Sequence, residues 1–290
     1  MSIKIIQERL DSYRCGSQQE EDNALREITQ EVALAALSRT DFFKKAAFQG
    51  GTALRIFYSL DRFSEDIDFI LKKPDMSFQL ESYLKPLAGE LNVYGYRLEI
   101  IDRSKAGQAV KKCFLKDDSL GKILSLQHIK GAANQKKIKI KFEVDANPPL
   151  GSNFENKFLD FPFAFAVTAQ DAPSLFAGKS HALLCREYDK GRDWYDFIWY
   201  VSRKVTINFT FLSNALNQLG PWAGQNVQAD KEWYHKEMEK KIISLDWEGM
   251  KDELSRFLKP EALDTLKIWN QEFFLDRLRK LIEGDEKDKS

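Results

Sequence analysis

The segment from residue 138 to residue 145 alternates strictly between apolar and charged side chains, and it constrains the fold more than any other part of the sequence. The even positions are apolar and the odd positions are charged: Ile138, Ile140, Phe142 and Val144 against Lys139, Lys141, Glu143 and Asp145. Because successive side chains of a strand point to opposite faces, this pattern predicts a strand with one buried face and one charged face. Asn147-Pro148-Pro149 then ends the sheet pattern, because proline cannot donate to the ladder and restricts its predecessor.

A second strand of this kind is predicted over residues 66–71. Ile67, Phe69 and Leu71 fall on one face, which leaves Asp66 and Asp68 together on the other. Further strand signals lie near residues 94–100 and 163–167, with a short strand or loop near 46–48 and a hairpin over 109–129 that turns at Asp117-Asp118. Apolar residues at helical spacing predict helices over 20–38, 52–58, 76–91, 172–187, 193–203, 209–219, 229–244 and 261–282.

The mixture of strands and helices before Pro148, followed by a run of helices, predicts two lobes. A chain of 290 residues is longer than one typical domain and long enough to form two. We therefore expect an α/β (α+β) lobe with a mixed sheet over residues 1–150 and a mostly helical lobe over residues 151–290. A cleft between two such lobes is the first place to expect an active site.

Composition excludes several classes of protein. Lys and Arg total 44 and Asp and Glu total 44, so the zero net charge excludes a uniformly basic nucleic-acid coat and an acidic tail protein. No apolar run approaches the ~18–20 residues of a membrane span, and the charged N-terminal segment lacks the apolar core of a secretion signal. Three separated cysteines fit a reducing compartment and argue against a zinc module. We expect a cytoplasmic protein without a membrane contact.

The residues around the two aspartates of the 66–71 strand indicate a metal and phosphate site. Magnesium prefers oxygen ligands and is usually held by one or two carboxylates together with substrate phosphates. Glu143 and Asp145 supply further carboxylates on the other charged strand. Gly50 and Gly51 precede a predicted helix, and their lack of side chains lets backbone N–H groups approach phosphates. These parts predict Mg2+-dependent phosphoryl or nucleotidyl transfer from a nucleoside triphosphate.

Charge is distributed unevenly along this neutral chain. Residues 101–141 hold eleven Lys and Arg against three acids, a net charge of +8: Arg103, Lys105, Lys111, Lys112, Lys116, Lys122, Lys130, Lys136, Lys137, Lys139 and Lys141 against Asp102, Asp117 and Asp118. A basic surface beside a carboxylate site suits a polyanionic substrate. A solvated face that protects edge strands from aggregation is the alternative interpretation.

Two groups of short motifs stand out along the chain. The first runs from Gly50-Gly51-Thr52-Ala53-Leu54-Arg55 to Arg62-Phe63-Ser64-Glu65-Asp66-Ile67-Asp68-Phe69. The second consists of Lys179-x6-Arg186 and Arg192-Asp193-Trp194-Tyr195-Asp196. Together they resemble the AbiEii/AbiGii-type nucleotidyltransferase toxins, a branch of the DNA polymerase β-like superfamily. The resemblance implies a polymerase β-like nucleotidyltransferase lobe, followed by a helical lobe that completes the active-site cleft.

The resemblance also implies roles for individual residues. Metal ligands are implied on the two charged strands: Asp66 and Asp68, with Glu143 as the first choice for the third carboxylate and Asp145 as the second. Contacts to the nucleotide phosphates are implied for the glycine turn and for the segment before the strand: Gly50, Gly51, Thr52 and Ser64.

Five further charged residues complete the expected site. Lys179 matches a family lysine that contacts the nucleotide, and Arg186 shares its helical face, so both can reach a triphosphate. One of Asp193 and Asp196 is expected to act in catalysis or nucleotide positioning, and helix capping is the alternative for Asp193. Arg62 is expected either to pair with the first metal aspartate or to bind phosphate.

The function implied by the resemblance is that of an Mg2+-dependent nucleotidyltransferase toxin in a toxin–antitoxin or abortive-infection system. An acceptor hydroxyl attacks the α-phosphorus of a nucleoside triphosphate, and pyrophosphate leaves. Some members of the family add nucleotides to the 3′ end of tRNA, so a tRNA acceptor and a cognate antitoxin are the expected partners. Two alternatives remain open: modification of a protein or small molecule, and a non-catalytic nucleotide- or RNA-binding module.

Overall fold

A computed structural model describes residues 2–104, 108–117, 119–120, 124–128 and 138–283. Part of the basic 101–141 stretch lies outside these ranges, namely Lys105, Lys122, Lys130, Lys136, Lys137 and Asp118, as does most of the charged tail, residues 284–290. The chain forms two compact units. The first comprises Met1–Tyr58, Phe63–Pro148 and Phe154–Ala169, and the second comprises Ser59–Arg62, Pro149–Asn153 and Gln170–Ser290.

The first unit is built on a mixed sheet of seven strands, which confirms the predicted α/β class. The strands are β1 Ala46–Gln49, β2 Ile67–Leu71, β3 Leu98–Asp102, β4 Val110–Asp117, β5 Ile138–Asp145, β6 Phe154–Leu159 and β7 Phe165–Gln170. Their order across the sheet is β3-β4-β5-β2-β1-β7-β6. Strand β2 therefore lies inside the sheet, antiparallel to β1 and parallel to β5.

One face of this sheet carries the hydrophobic core. Phe69 of β2 and Phe142 of β5 are buried there with ring centroids 4.9 Å apart, and both contact the ring of Phe42. The helices of the first unit are α1 Ser2–Ser12, α2 Gln18–Ser38, α3 Phe42–Lys45, α4 Gly50–Tyr58 and α5 Glu81–Val93. Helix α2 begins at a capping serine, Ser17, whose side chain accepts a hydrogen bond from the Glu20 N–H. Its apolar residues then join the core against the sheet.

The opposite face of the sheet carries polar side chains. Along β5 the apolar residues are buried, whereas Lys139 is exposed and Lys141, Glu143 and Asp145 are half-buried. This is the division that the strict alternation of the sequence predicts. Register pairs in a sheet share a face, so the pairing of Asp68 with Glu143 places Asp68 on this polar face as well.

The second unit is mainly helical. Its helices are α6 Ala172–Cys185, α7 Gly191–Ser202, α8 Phe209–Gln218, α9 Lys231–Ile243, α10 Trp247–Ser255, α11 Pro260–Leu263 and α12 Gln271–Glu283, with a 3-10 turn at Asp264–Ile268. Trp194 of α7 lies fully buried in its core and contacts the rings of Trp247 and Phe274 edge-on. Within the described ranges, no helix is long and apolar enough to cross a membrane.

Two predicted elements are wrong. The hairpin over 109–129 is replaced by the single strand β4, which pairs with β3 and β5, and residues 119–120 and 124–128 add no second strand. Asp117 ends β4 instead of turning a hairpin, because its carboxylate accepts the N–H groups of Arg97, Ser119 and Leu120. The helix over 261–282 is interrupted, and Asn270 caps its last part by accepting the Phe273 N–H.

Adjacent positions of β5 should respond oppositely to the same new charge. Ile140 is fully buried, so Ile140→Glu places an unpaired carboxylate in the core and should abolish folding, since such burial costs several kcal/mol. Lys139 is exposed on the other face, and Lys139→Glu should fold normally. Urea unfolding followed by circular dichroism measures both. Equal stability of the two variants would show that the two faces of β5 have been assigned incorrectly.

Candidate functional site

The polar face of the first unit brings predicted site residues together on β2 and β5. Asp68 and Glu143 are register partners across the parallel β2–β5 pair, so their side chains leave the sheet side by side. Asp66 immediately precedes β2 and lies two residues before Asp68, which directs it to the same face. Asp68 and Glu143 are therefore neighbours on one surface, and the charge of Asp66 acts on Lys141 of the same face.

The glycine turn lies directly against Asp68. Gly50 has φ +81°, a conformation that side chains rarely adopt, and a Cβ placed on it would lie 2.7 Å from Asp68 Oδ2. Gly50 opens α4, the helix that follows β1, and Gln49 before it is the register partner of Asp68 in β1. Glycine is therefore required at position 50 on two grounds, backbone conformation and close approach to the carboxylate.

Side chains from α2 and α4 fix the segment before β2. The buried Thr52 hydroxyl donates a hydrogen bond to the carbonyl oxygen of Asp66. Gln30 Nε2 donates to the carbonyl oxygen of Ser64 over 3.0 Å. Both hydrogen bonds are made to main-chain carbonyl oxygens. They therefore fix the backbone of Asp66 and Ser64 and do not involve the side chains of these two residues. The predicted phosphate contacts of Thr52 and Ser64 stay predictions.

Lys141, a member of both the alternating 138–145 pattern and the basic 101–141 stretch, lies beside the carboxylates of the polar face. Lys141 Nζ lies 2.6 Å from Glu143 Oε2 and shares the polar face of β5. Burial disfavours its charge, but the hydrogen bond to Glu143 and the carboxylates of Asp66 and Asp68 outweigh burial and raise the pKa of Lys141. The strict alternation of β5 was the signal that placed Lys141 beside Glu143.

Asp145 occupies a different position from Glu143. Its register partner on β2 is Ile70, two residues beyond Asp68, and its Oδ1 accepts the Asn147 N–H over 2.9 Å. Burial raises the pKa of Asp145. The geometry favours Glu143 over Asp145 as the partner of Asp68.

The carboxylates of the polar face can be compared with the ligands that a metal ion requires. In the described part of the chain, no three His, Cys, Asp or Glu side chains are grouped closely enough to hold a metal ion by themselves. Asp68 and Glu143 nevertheless offer carboxylate oxygens side by side, and Mg2+ typically takes one or two carboxylates with substrate phosphates and water as the other ligands. The residues therefore fit an ion that is bound together with a phosphate, and do not form an all-protein cage.

The second unit contains its own group of predicted residues. Lys179 Nζ lies 2.6 Å from Asp193 Oδ1 and 2.8 Å from Asp196 Oδ2. Arg186, which follows the end of α6, also contacts Asp193, through Oδ2. Lys179 and Arg186 meet at Asp193, although Arg186 has extended backbone and lies beyond the end of the helix whose face it was predicted to share. Their predicted contact with a triphosphate stays a prediction.

Arg62 completes this charged group. Its Nε and NH2 donate to the two carboxylate oxygens of Asp196 over 2.7 and 2.6 Å, and both side chains are almost completely buried. The structure pairs Arg62 with Asp196. The two roles predicted for Arg62, a pair with Asp66 and a phosphate contact, stay predictions. Its planar guanidinium matches a carboxylate in a two-bond geometry, which a single aspartate 134 residues away provides.

The charges of this group stabilise one another. Burial works against the ionised form of Asp193, but Lys179 and Arg186 outweigh it and lower the pKa of Asp193. Burial likewise opposes the charge of Lys179, and Asp193 and Asp196 outweigh it, which raises the pKa of Lys179. Lys179 is therefore a fully charged ammonium held between two carboxylates.

The local sequence explains why these residues meet. Asp193 lies in the first turn of α7, where an acid is favoured by the helix dipole. Gly191 begins that helix, and a Cβ at this position would lie 2.2 Å from the Met250 carbonyl oxygen, so only glycine lets α10 pack there. Asp196 follows one turn after Asp193 and contacts the same lysine, Lys179.

Solved structures that match this chain include two of low sequence identity. A candidate nucleotidyltransferase from H. pylori is 15% identical, with a TM-score of 0.48 over 91% of this chain and 94% of that chain. JHP933 from Helicobacter pylori is also 15% identical, with a TM-score of 0.49 over 92% of each chain. Among curated proteins, none is significantly similar in sequence.

The sequence model of one protein family matches most of the chain. This family is described as the nucleotidyl transferase AbiEii toxin of a type IV toxin–antitoxin system, and the match covers residues 32–276. It includes Gly50, Asp68 and Glu143 in the first unit and Lys179 and Asp196 in the second. The chain belongs to the AbiEii nucleotidyltransferase toxin family of type IV toxin–antitoxin systems.

Proposed function

We propose that this nucleotidyltransferase transfers a nucleoside monophosphate from a nucleoside triphosphate to the 3′ end of tRNA, with Mg2+ as its cofactor. The observation that carries the proposal is the register pairing of Asp68 with Glu143 beside the Gly50 turn. This places paired carboxylates next to main-chain N–H groups at the start of a helix. Carboxylates and N–H groups are the two kinds of ligand that an Mg2+-bound triphosphate requires.

The residues of the first unit have separate tasks in this proposal. Asp66, Asp68 and Glu143 hold Mg2+, and the N–H groups at Gly50 and Gly51 bind phosphate oxygens at the start of α4. When bound, Mg2+ neutralises phosphate charge and polarises the reacting oxygens. A metal-site carboxylate is the expected acceptor for the proton of the attacking hydroxyl.

For the second unit we propose that Lys179 binds a phosphate of the nucleotide. In their described ion pairs, the three basic side chains Lys179, Arg186 and Arg62 contact the two carboxylates of Asp193 and Asp196. Asp193 and Asp196 act as positioning residues, because they hold the ammonium in one place and keep it charged. Arg62 acts one step further away, through Asp196.

A tRNA acceptor is consistent with toxicity and with the charge of the chain. Adding a nucleotide to the 3′ end blocks aminoacylation and hence translation, which would account for a toxin in a toxin–antitoxin system. The +8 stretch over residues 101–141 suits a polyanionic acceptor. Such an enzyme acts in the cytoplasm and is controlled by a cognate antitoxin.

A labelling assay tests the proposed function. The protein is incubated with Mg2+, total tRNA and each α-labelled nucleoside triphosphate in turn, and ribonuclease-sensitive label is expected with wild type. Asp66→Ala combined with Asp68→Ala should lower labelling by at least ~1000-fold, since it removes the charge that holds the metal. Asp75→Ala, on an exposed turn after β2, is the control and should label normally.

Three results would contradict this proposal. Absence of label with wild type and every nucleotide would exclude tRNA as the acceptor. Equal labelling by the double variant would exclude metal-dependent chemistry at Asp66 and Asp68. A labelled band that resists ribonuclease would indicate a protein acceptor.

Two amide substitutions on β5 should separate the third metal ligand from its neighbour. Glu143→Gln should lower kcat/KM by at least ~100-fold, because Glu143 is the register partner of Asp68. Asp145→Asn should lower it less than ~10-fold, because Asp145 lies opposite Ile70 and already accepts a main-chain N–H. Initial-rate kinetics measure both, with urea unfolding to verify that each variant folds. A loss with Asp145→Asn as large as that with Glu143→Gln would reverse the assignment.

Removing Arg62 should destabilise the second unit strongly. Arg62→Met leaves the fully buried Asp196 with Lys179 as its remaining described cation, and breaking a buried ion pair costs ~3–5 kcal/mol. Arg256→Met is the control, because Arg256 is exposed, lies 3.8 Å from Glu253 and should cost less than ~1 kcal/mol. Urea unfolding of both variants gives the comparison. If the two losses are equal, the Arg62 pair contributes no more than an ordinary surface contact.

A further inference from the structure

The register of β4 and β5 places a row of lysines on the same face as Asp68 and Glu143. Lys112 lies opposite Glu143, Phe114 lies opposite Lys141, and Lys116 lies opposite Lys139. Because directly paired residues share a face, all six side chains leave the sheet on its polar side. We name four of them the lysine strip: Lys112, Phe114, Lys116 and Lys139.

An aromatic ring lies in the middle of this charged strip. Phe114 is half-buried on the polar face, while its neighbours along β4, Cys113 and Leu115, are buried in the core. Lys139 Nζ lies 4.4 Å from the centroid of the Phe114 ring, within the range of a cation–π contact. The strip therefore combines a planar apolar surface with ammonium groups around it.

The two lysines that β4 contributes to the strip form long ion pairs. Lys112 Nζ is 3.9 Å from Glu143 and Lys116 Nζ is 3.9 Å from Glu99, and Glu99 is 61% exposed. Long pairs at partly exposed positions contribute little free energy. These lysines can thus turn toward the phosphates of a ligand at small cost.

From these observations we propose that the lysine strip binds the single-stranded 3′ segment of the nucleic-acid acceptor and leads its end to Asp68 and Glu143. The inference rests on the proposed function, because it assigns a surface to the acceptor of that reaction. Stacking rings flanked by basic groups are the usual means by which proteins bind single strands. A groove for an acidic peptide would need the charges without the ring.

The spacing along the strands agrees with this assignment. Successive residues on one face of a strand are ~7 Å apart, so the Phe114 row lies one such step from the Glu143 row and the Lys116 row lies two. Steps of this size are comparable to the separation of nucleotides in an extended strand. When the terminal nucleotide lies at Glu143, the next base stacks on Phe114 and the following phosphates meet Lys116 and Lys139.

Binding of a single-stranded RNA tests the proposal without any turnover. A 5′-fluorescein RNA octamer is titrated with full-length protein in the absence of nucleotide, and anisotropy is recorded from 50 to 200 mM salt. Phe114→Ala should weaken binding by ~5- to 100-fold at every salt concentration, because it removes the ring on which a base stacks. Lys139→Glu should also weaken binding and should reduce the slope of log K against log salt by ~0.7 for each phosphate that the protein no longer neutralises.

The control variant carries the same charge change elsewhere on the first unit. Lys85 is exposed on α5, a helix that packs with α2 on the core side of the sheet, and Lys85→Glu should bind as wild type does. If Phe114→Ala and Lys139→Glu bind like Lys85→Glu, the strip is not the binding surface. If only the lysine change matters and poly-glutamate competes equally with RNA, the strip is a general anion surface and the single-strand proposal is wrong.

Labelling with the same variants separates this inference from the proposed function. If wild type binds the octamer through the strip but labels no tRNA, the proposed reaction fails while the binding surface stands. If tRNA is labelled by wild type and equally by Phe114→Ala and Lys139→Glu at subsaturating tRNA, the reaction stands and the strip is excluded.

Discussion

The parallel pairing of β2 with β5 is the constraint on which the first unit depends. A slip of one residue in either strand would turn its apolar residues to the polar side and bury its charges, so both alternating patterns fix the same register. That register also sets Asp68 beside Glu143. Burial of Phe69 and Phe142 on the core face thus determines where Asp68 and Glu143 lie on the opposite face.

The buried charges of the second unit follow a different logic. Replacing a buried ion pair by apolar side chains of similar volume often leaves a protein as stable or makes it more stable. Stability alone therefore does not account for Arg62 and Lys179 around a fully buried Asp196. The arrangement fixes the position of the Lys179 ammonium. Its Nζ contacts two carboxylates, and one of these, Asp196, accepts two hydrogen bonds from Arg62.

Sequence patterns predicted the parts of the structure that local physics determines. The alternation over 138–145 and 66–71 predicted the strands and the shared face of Asp68 and Glu143. Helical spacing does not explain the contact of Lys179 and Arg186 with Asp193, because Arg186 lies beyond the helix in extended backbone. The pairing of Arg62 with Asp196 had no such signal, because it joins residues 134 positions apart through burial. The hairpin failed for a related reason: Asp117 resembles a turn residue, yet it ends β4 by accepting main-chain N–H groups.

Lys141 links the acidic group to the basic surface beside it. Its ammonium pairs with Glu143 and is stabilised by Asp66 and Asp68, so these carboxylates already share one positive charge in the absence of substrate. In the proposed reaction the same carboxylates would hold Mg2+, whose charge would repel this ammonium at short range. Lys141 would then gain free energy by turning from Glu143 to the phosphate oxygens of the substrate. Metal and phosphate binding at this face would therefore assist each other through one side chain.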